Sequence, residues 1–264
     1  MLNQLKRKVK KILNIEAKPE YLGGDKYCPV CDNKLKYFLP LPDEYRDNAE
    51  RNGYPYFGQN EHLNVKEYSC PNCRASDRDR LYAAYLKNFY TPTEKNTRLL
   101  HIAPSWPLEK HYLSKSFTTT TTDLEMPDVD IHANIEDMNC FEDNEFGFFI
   151  CSHVLEHVNS PDKALSELKR ILKVGGEGII MVPIIPTLEH TVEDPSHKTD
   201  EERLKHYGQA DHLRLFAKSD FTTRITNAGF DLNQLDASNT FGLELFEKLG
   251  IRESSVLYLV KKSR

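Results

Sequence analysis

The stretch FGFFICSHVLEHVNSPDKALSELKRILKVGGEGIIMVPI, from Phe146 to Ile184, decides the fold. Phe148, Phe149 and Ile150 form a short apolar run that suits a buried parallel strand. Ser160 is placed to cap a helix, with Pro161 at its first position. Ala164, Leu165, Leu168, Ile171 and Leu172 then recur on one face at helical spacing. Gly175 and Gly176 are expected to end that helix, and Gly178 to Pro183 supplies the next apolar strand.

Working outward, further strands are expected at 98–103, 117–122, 130–133, 231–236 and 255–260, with a helix at 219–228 closed by Gly229. The threonine run Thr118 to Thr122 reads as a β-branched strand. Strands alternating with helices give an α/β, doubly wound sheet. The HVLEH segment, the Leu172-Lys173-Val174-Gly175-Gly176 helix end and the strand closing on Val182-Pro183 resemble a class I S-adenosylmethionine (SAM) methyltransferase domain of the type 11 kind. The resemblance covers 77–264. It implies a seven-stranded Rossmann-like sheet whose last strand is antiparallel, SAM as cofactor, and methyl transfer as the chemistry.

In such folds the ligand lies beyond the carboxyl ends of the central strands. The resemblance therefore assigns cofactor contacts to His101, Ala103 and Ser105 after the first strand, Asp123 after the second, Asn134 and Ile135 after the third, and Ser152 and His153 after the fourth. Asp123 would accept the ribose hydroxyls; the competing reading is a turn aspartate. The first loop, His101-Ile102-Ala103-Pro104-Ser105-Trp106, departs from the family pattern, which has an acidic residue in place of His101 and glycines near Ala103 and Ser105. Pro104 also removes an amide donor. HxAP variants occur in bacterial methyltransferases that this chain resembles, so the loop reads as a modified cofactor loop, with a degenerate, non-binding loop as the alternative. Glu156 and His157 follow in the next turn, His157 read as structural.

The segment from Pro186 to Phe216 is long and polar, which in a compact domain usually means function. Its order EDP…R…YGQADHLR resembles a segment of bacterial methyltransferases associated with surface-sugar or secondary-metabolite pathways. His212 backed by Asp211, or else His153, is a candidate base for an acceptor hydroxyl, with Arg203, Gln209 and Arg214 as candidate acceptor contacts. A hydrogen-bonded lid network is the competing reading. No ligand pattern there demands Mg²⁺.

Upstream, 21–76 carries CPVC and CPNC. Two C-x2-C knuckles, Cys28 with Cys31 and Cys70 with Cys73, can present four thiolates to one tetrahedral structural Zn²⁺. The knuckles bracket an aromatic and polar insertion (Tyr37, Phe38, Tyr45, Tyr54, Tyr56, Phe57), giving a zinc-ribbon-like module that could wall the acceptor cleft. A redox pair or disulfide is the alternative. Cys140 and Cys151 lack partner spacing and read as small buried residues. Arg78 to Tyr90 reads as an amphipathic helix, and Arg74, Arg78 and Arg80 as either a polyanion-binding cluster or a solvated helix start. Residues 1–20 form a basic amphipathic helix whose face over 2–13 suits either peripheral contact with an anionic membrane or docking on a protein surface.

The net charge of -5 gives no push towards nucleic acid, and no window has the apolar length of a membrane span. A cytoplasmic enzyme, peripheral to the inner face of the membrane if residues 2–13 bind it, is the expectation. Its acceptor would be a small or carrier-linked molecule, a sugar hydroxyl for instance. An RNA methyltransferase gripping RNA through the zinc module, and a non-catalytic scaffold, are the competing readings.

Overall fold

The computed structural model describes residues 19–92 and 97–263. The amphipathic segment 2–13 lies outside the described residues. At the centre stands strand β6, Phe146–Ser152, with Phe146 to Cys151 buried between a strand on each side. Phe148, Phe149 and Ile150 have no exposed area, as an interior parallel strand requires. Gly178, on the neighbouring strand, lies under the Phe149 ring, where an added Cβ would come within 2.7 Å of three ring carbons.

Seven strands make the sheet: β3 (Arg98–Ile102), β4 (Thr118–Asp123), β5 (Ile131–His132), β6, β7 (Leu172–Met181), β8 (Asp231–Asp236) and β9 (Val256–Lys261). Their order is β5-β4-β3-β6-β7-β9-β8, and β9 alone runs against the direction of the other six. The threonine run is indeed strand β4. The order reverses between β3 and β6, which creates a crevice at their carboxyl ends.

Helix α4 (Pro161–Ile171) covers this sheet. The Ser160 hydroxyl accepts the Lys163 amide at its start, and Ala164, Leu165, Leu168 and Ile171 are buried beneath it. Each larger aliphatic side chain contributes about 1.5–3 kcal/mol by leaving water. The helix does not run on to the glycine pair. It stops at Ile171 because Leu172 turns extended and already pairs with Phe146. Gly175 and Gly176 instead form a bulge in β7, Gly175 at φ +80° with its amide donated to Lys262 O.

The cysteine module is not a separate globule. Strands β1 (Leu22–Cys28) and β2 (Asn33–Leu35) pair as a hairpin, and Cys28, Val30, Leu35, Cys70 and Cys73 belong to the same apolar core as the sheet. Between the knuckles lies helix α1 (Asp43–Asn52). Helix α2 (Asp77–Asn88) joins the two parts and, unlike the expected amphipathic helix, is buried on nearly every side from Asp77 to Leu86. Residues 106–116 (α3), 200–207 (α5), 218–227 (α6), 237–241 (α7) and 243–249 (α8) complete the described helices.

Candidate functional site

A cavity of about 530 Å³ opens beyond the carboxyl ends of β6 and β7. His153, Glu156, His157 and Pro183 form its floor, and Gln209, Asp211 and His212 come from the segment after α5. The opposite wall is the insertion between the knuckles, including Tyr45, Tyr54, His62 and Tyr68. Glu61 anchors that wall: buried, it accepts Lys218 Nζ at 2.8 Å and the Tyr258 hydroxyl at 2.6 Å. Arg252 donates to the carbonyls of Gly58 and Asn60 from the other side.

His153 sits at φ +57°, an uncommon conformation for a non-glycine residue, held by its amide's bond to Met181 O at 2.8 Å. Its Nε2 meets His62 Nε2 at 3.0 Å, and its Nδ1 lies 3.3 Å from Glu156 Oε1. That carboxylate is fully buried, and among the described residues neither of its oxygens meets a hydrogen-bond donor in bonding geometry. Burial pushes its carboxyl up to about 8, with Arg78 and Arg214 pulling the other way. Burial, then the Arg78 charge, holds His153 well below its ordinary range and His62 at about 3. Burial, then His157, brings His212 to about 4. These imidazoles are neutral at pH 7, the form that accepts a proton.

The four cysteines come together as their spacing predicts, each offering a sulfur within 4.8 Å of the others. Cys28 Sγ to Cys73 Sγ is 3.7 Å and Cys31 Sγ to Cys70 Sγ is 3.8 Å. A tetrahedron with zinc–sulfur bonds of about 2.3 Å has edges of roughly 3.8 Å, so the donor set fits one zinc ion. The same distances are far beyond the ~2.05 Å of a disulfide. Of the remaining two, Cys151 is buried as expected, whereas Cys140 is exposed.

The crevice at the strand reversal is bordered by the ends of β3, β4 and β6. Ala103, at φ +47°, follows β3. Asp123 ends β4, and its Oδ1 accepts the amides of Glu125 and Met126 at 2.8 and 2.7 Å, which fixes the carboxylate. His101 is buried, with Nδ1 2.8 Å from Glu109 Oε2, and the Ser105 hydroxyl donates to Asp79 Oδ2 at 2.8 Å. Ser152 Oγ pairs with the Tyr82 hydroxyl at 2.8 Å. Asn134 is exposed and Ile135 buried after β5. These side chains lie outside the lining of the 530 Å³ cavity, whose floor begins at His153.

Residues 111–180, from within α3 to the end of β7, match a family model described as a methyltransferase domain. Over those residues the chain is similar to methyltransferase domains. An uncharacterized protein of Methanocaldococcus jannaschii is 50% identical over 40 residues, 15% of this chain and 20% of that protein. The match thus spans a fifth of that relative's length. Among solved structures, a SAM-dependent methyltransferase from Archaeoglobus fulgidus is 14% identical, with a TM-score of 0.45 over 70% of this chain and 94% of that one. The [4+2]-cyclase SpnF is 16% identical, with a TM-score of 0.46 over 80% and 84% of the two chains. A chain from the complex of the Haloferax volcanii Trm112 methyltransferase activator with a methyltransferase is 14% identical, with a TM-score of 0.45 over 71% and 92%. Likenesses this loose carry no argument about substrate or partner.

Several residues stand otherwise than their sequence positions suggest. Asp211 does not back His212; it lies against His157, its carboxylate 3.4 Å and its carbonyl 3.2 Å from Nδ1. Arg214 is buried, paired with Glu193 at 2.7 Å and donating to the carbonyls of Leu155 and Val158, so it clamps the loop after β6. Arg203 donates to the carbonyls of His197 and Ala210 within its own segment. Gln209 does line the cavity. The arginine cluster is split: Arg74 is exposed, Arg78 lines the cavity, and Arg80 has no exposed area. His62 belongs to no motif, and Glu156 belongs to HVLEH, which marks the fold and not a site. Among the described residues no helix is long and apolar enough to cross a membrane.

Proposed function

We propose that this methyltransferase moves a methyl group from SAM to a hydroxyl of a small or carrier-linked acceptor, with a sugar hydroxyl as the favoured class. The observation that carries this reading is the position of His153. It stands at the first residue past β6, at the meeting of the strand-end crevice and the cavity, with a neutral ring. SAM supplies a methyl group on a good leaving group, so the protein must align the acceptor and take its proton. His153 is the base in this reading, and His212 lines the same cavity. Tyr45, Tyr54 and Tyr68 offer ring faces and hydroxyls for a polar cyclic acceptor, and Arg78 a cation for an anionic group on it.

On the cofactor side, Asp123 has Oδ1 engaged by its own turn and would present Oδ2 to the ribose. The Ala103 turn would approach with its backbone, since the His101 and Ser105 side chains are engaged inside the fold. Zn²⁺ on the four cysteines would be structural. Arg80, buried and bonded to carbonyls, cannot contribute to the RNA-gripping alternative.

Calorimetric titration of the zinc-replete protein with SAM, beside Asp123→Ala, tests the reading. Roughly micromolar affinity in the wild type, lost in the variant, is expected. A folded, zinc-loaded wild type that binds no SAM overturns it in favour of a scaffold. Once a methyl acceptor is found among sugars, His153→Asn is expected to lower kcat by roughly 100-fold or more with SAM affinity retained.

A further inference from the structure

We propose that Glu156, His157 and His212 hold a second metal ion, a divalent first-row transition metal, distinct from the cysteine site and open to the cavity. These three residues bring one ligand atom each within 4.8 Å of one another. Ligand atoms about 2.1 Å from one ion stand roughly 3.0–3.4 Å apart, so small side-chain rotations close the group.

The strongest indication is what the fold leaves without a partner. Glu156 is fully buried, yet neither carboxylate oxygen receives a hydrogen bond from the described residues. His212 is 3% exposed and its Nδ1 is likewise unpartnered. A buried polar group left so is costly unless something absent from the protein itself completes it. Three oxygen and nitrogen lone-pair sites converging on one point suit a cation.

The ring nitrogens are placed for ligation. His157 Nδ1 lies against the carbonyl and carboxylate of Asp211, which leaves Nε2 directed at Glu156 Oε1, 3.9 Å away. His212 Nδ1, without a partner among the described residues, is free to present a lone pair. An imidazole whose second nitrogen is fixed by a carbonyl or carboxylate is the usual arrangement around a bound metal. His153 stands beside the group, with Nε2 on the His62 ring and Nδ1 3.3 Å from Glu156 Oε1, ready as a fourth ligand or as a neighbouring base. The site is also firmly carried. The Leu213 amide donates to Glu156 O at 2.8 Å, and Arg214 ties the segment 212–214 to the carbonyls of Leu155 and Val158.

Two imidazoles and one carboxylate favour Mn²⁺, Fe²⁺, Co²⁺ or Zn²⁺ over Mg²⁺ or Ca²⁺, and three protein ligands leave positions open. In the role that rests on the methyl-transfer reading, those positions take an acceptor with two adjacent oxygens, such as a vicinal diol. The ion would lower the hydroxyl's pKa beside His153.

The test begins with protein dialysed against EDTA until it retains one zinc per chain, then titrated with Mn²⁺ and Co²⁺. One further equivalent per chain is expected. Glu156→Gln and His212→Asn should each weaken it roughly tenfold or more, with zinc content and circular dichroism unchanged. If either variant fails to fold, the wild-type Co²⁺ spectrum decides. Weak d–d bands without thiolate charge transfer support the site, and thiolate bands alone refute it. No further equivalent, or equal affinity in both variants, also refutes it. The readout needs neither SAM nor acceptor. Its failure therefore leaves the methyl-transfer reading intact, and absence of SAM binding leaves the metal result intact.

Discussion

Arg80 shows how one side chain can decide whether two parts of a chain fold as one. Its guanidinium has no exposed area and lies 3.8 Å over the Phe38 ring. It donates to the carbonyls of Glu67, Tyr68 and Ala75 around the second knuckle, and of Leu249 and Gly250 at the end of α8. A zinc ion on four thiolates carries net negative charge, and Cys28 and Cys70 both act electrostatically on Arg80. Arg80→Met strands five carbonyl acceptors, three of them in buried bonds, and removes the compensating cation, so a loss of about 3–5 kcal/mol is expected in urea unfolding. Arg80→Lys should recover only part of it, because a point-like ammonium cannot reach donors spread over a planar fork. An Arg80→Met protein as stable as wild type would show that the module and the sheet are held together elsewhere.

At the scale of elements, the cavity depends on how α5 and the insertion meet. Gly208 ends α5 at φ +83°, and an added Cβ would come 2.9 Å from the Tyr54 ring. Gly208→Ala combines a strained backbone with that collision. A cost of about 1–2 kcal/mol and a raised KM for the acceptor, with SAM affinity unchanged, are expected from unfolding and titration. If the acceptor KM does not move, the α5–insertion contact does not shape the acceptor site. The strands were legible in the sequence because a buried parallel strand must be apolar along its length, as Phe148 to Ile150 are. The cysteine site was legible because knuckle spacing itself sets ligand geometry. Gly175 and Gly176 misled because a glycine pair serves a strand bulge as readily as a helix end, and only pairing of Leu172 with Phe146 separates the two. The HVLEH segment was read as a fold signature, while its meeting with His212 across a long separation depends on Arg214 and the Leu213 amide. His62 stands in a polar insertion with nothing local to single it out. Nor does sequence reveal that an arginine beside a knuckle is buried, since its five carbonyl partners belong to no motif.

For the whole molecule, the sheet and the cysteine module divide the labour at one cleft. The strand ends offer the crevice in which the proposed cofactor would lie, and the insertion between Cys31 and Cys70 supplies the facing wall with Tyr54, His62 and Tyr68. That wall is a long excursion whose two ends are tied at the thiols and at the Leu39–Ser69 bridge. Removing a metal held by the four thiols would open the excursion. The loop-closure entropy of a cross-link over residues 32–69 is about 4 kcal/mol, before any thiolate repulsion is added. The strands keep their own core of Phe146, Phe149, Ile179 and Tyr258, so the effect should be local at first. Hydrogen exchange on Cys73→Ser, or on chelated wild type, should show protection lost across 41–68 and kept across β3, β6 and β7. SAM affinity should stay within about threefold while acceptor binding disappears, because only the wall has moved. Loss of protection in the sheet at the same chelator concentration would mean that the metal props the entire fold. Zinc would then be a condition for the cofactor crevice as well as for the acceptor wall.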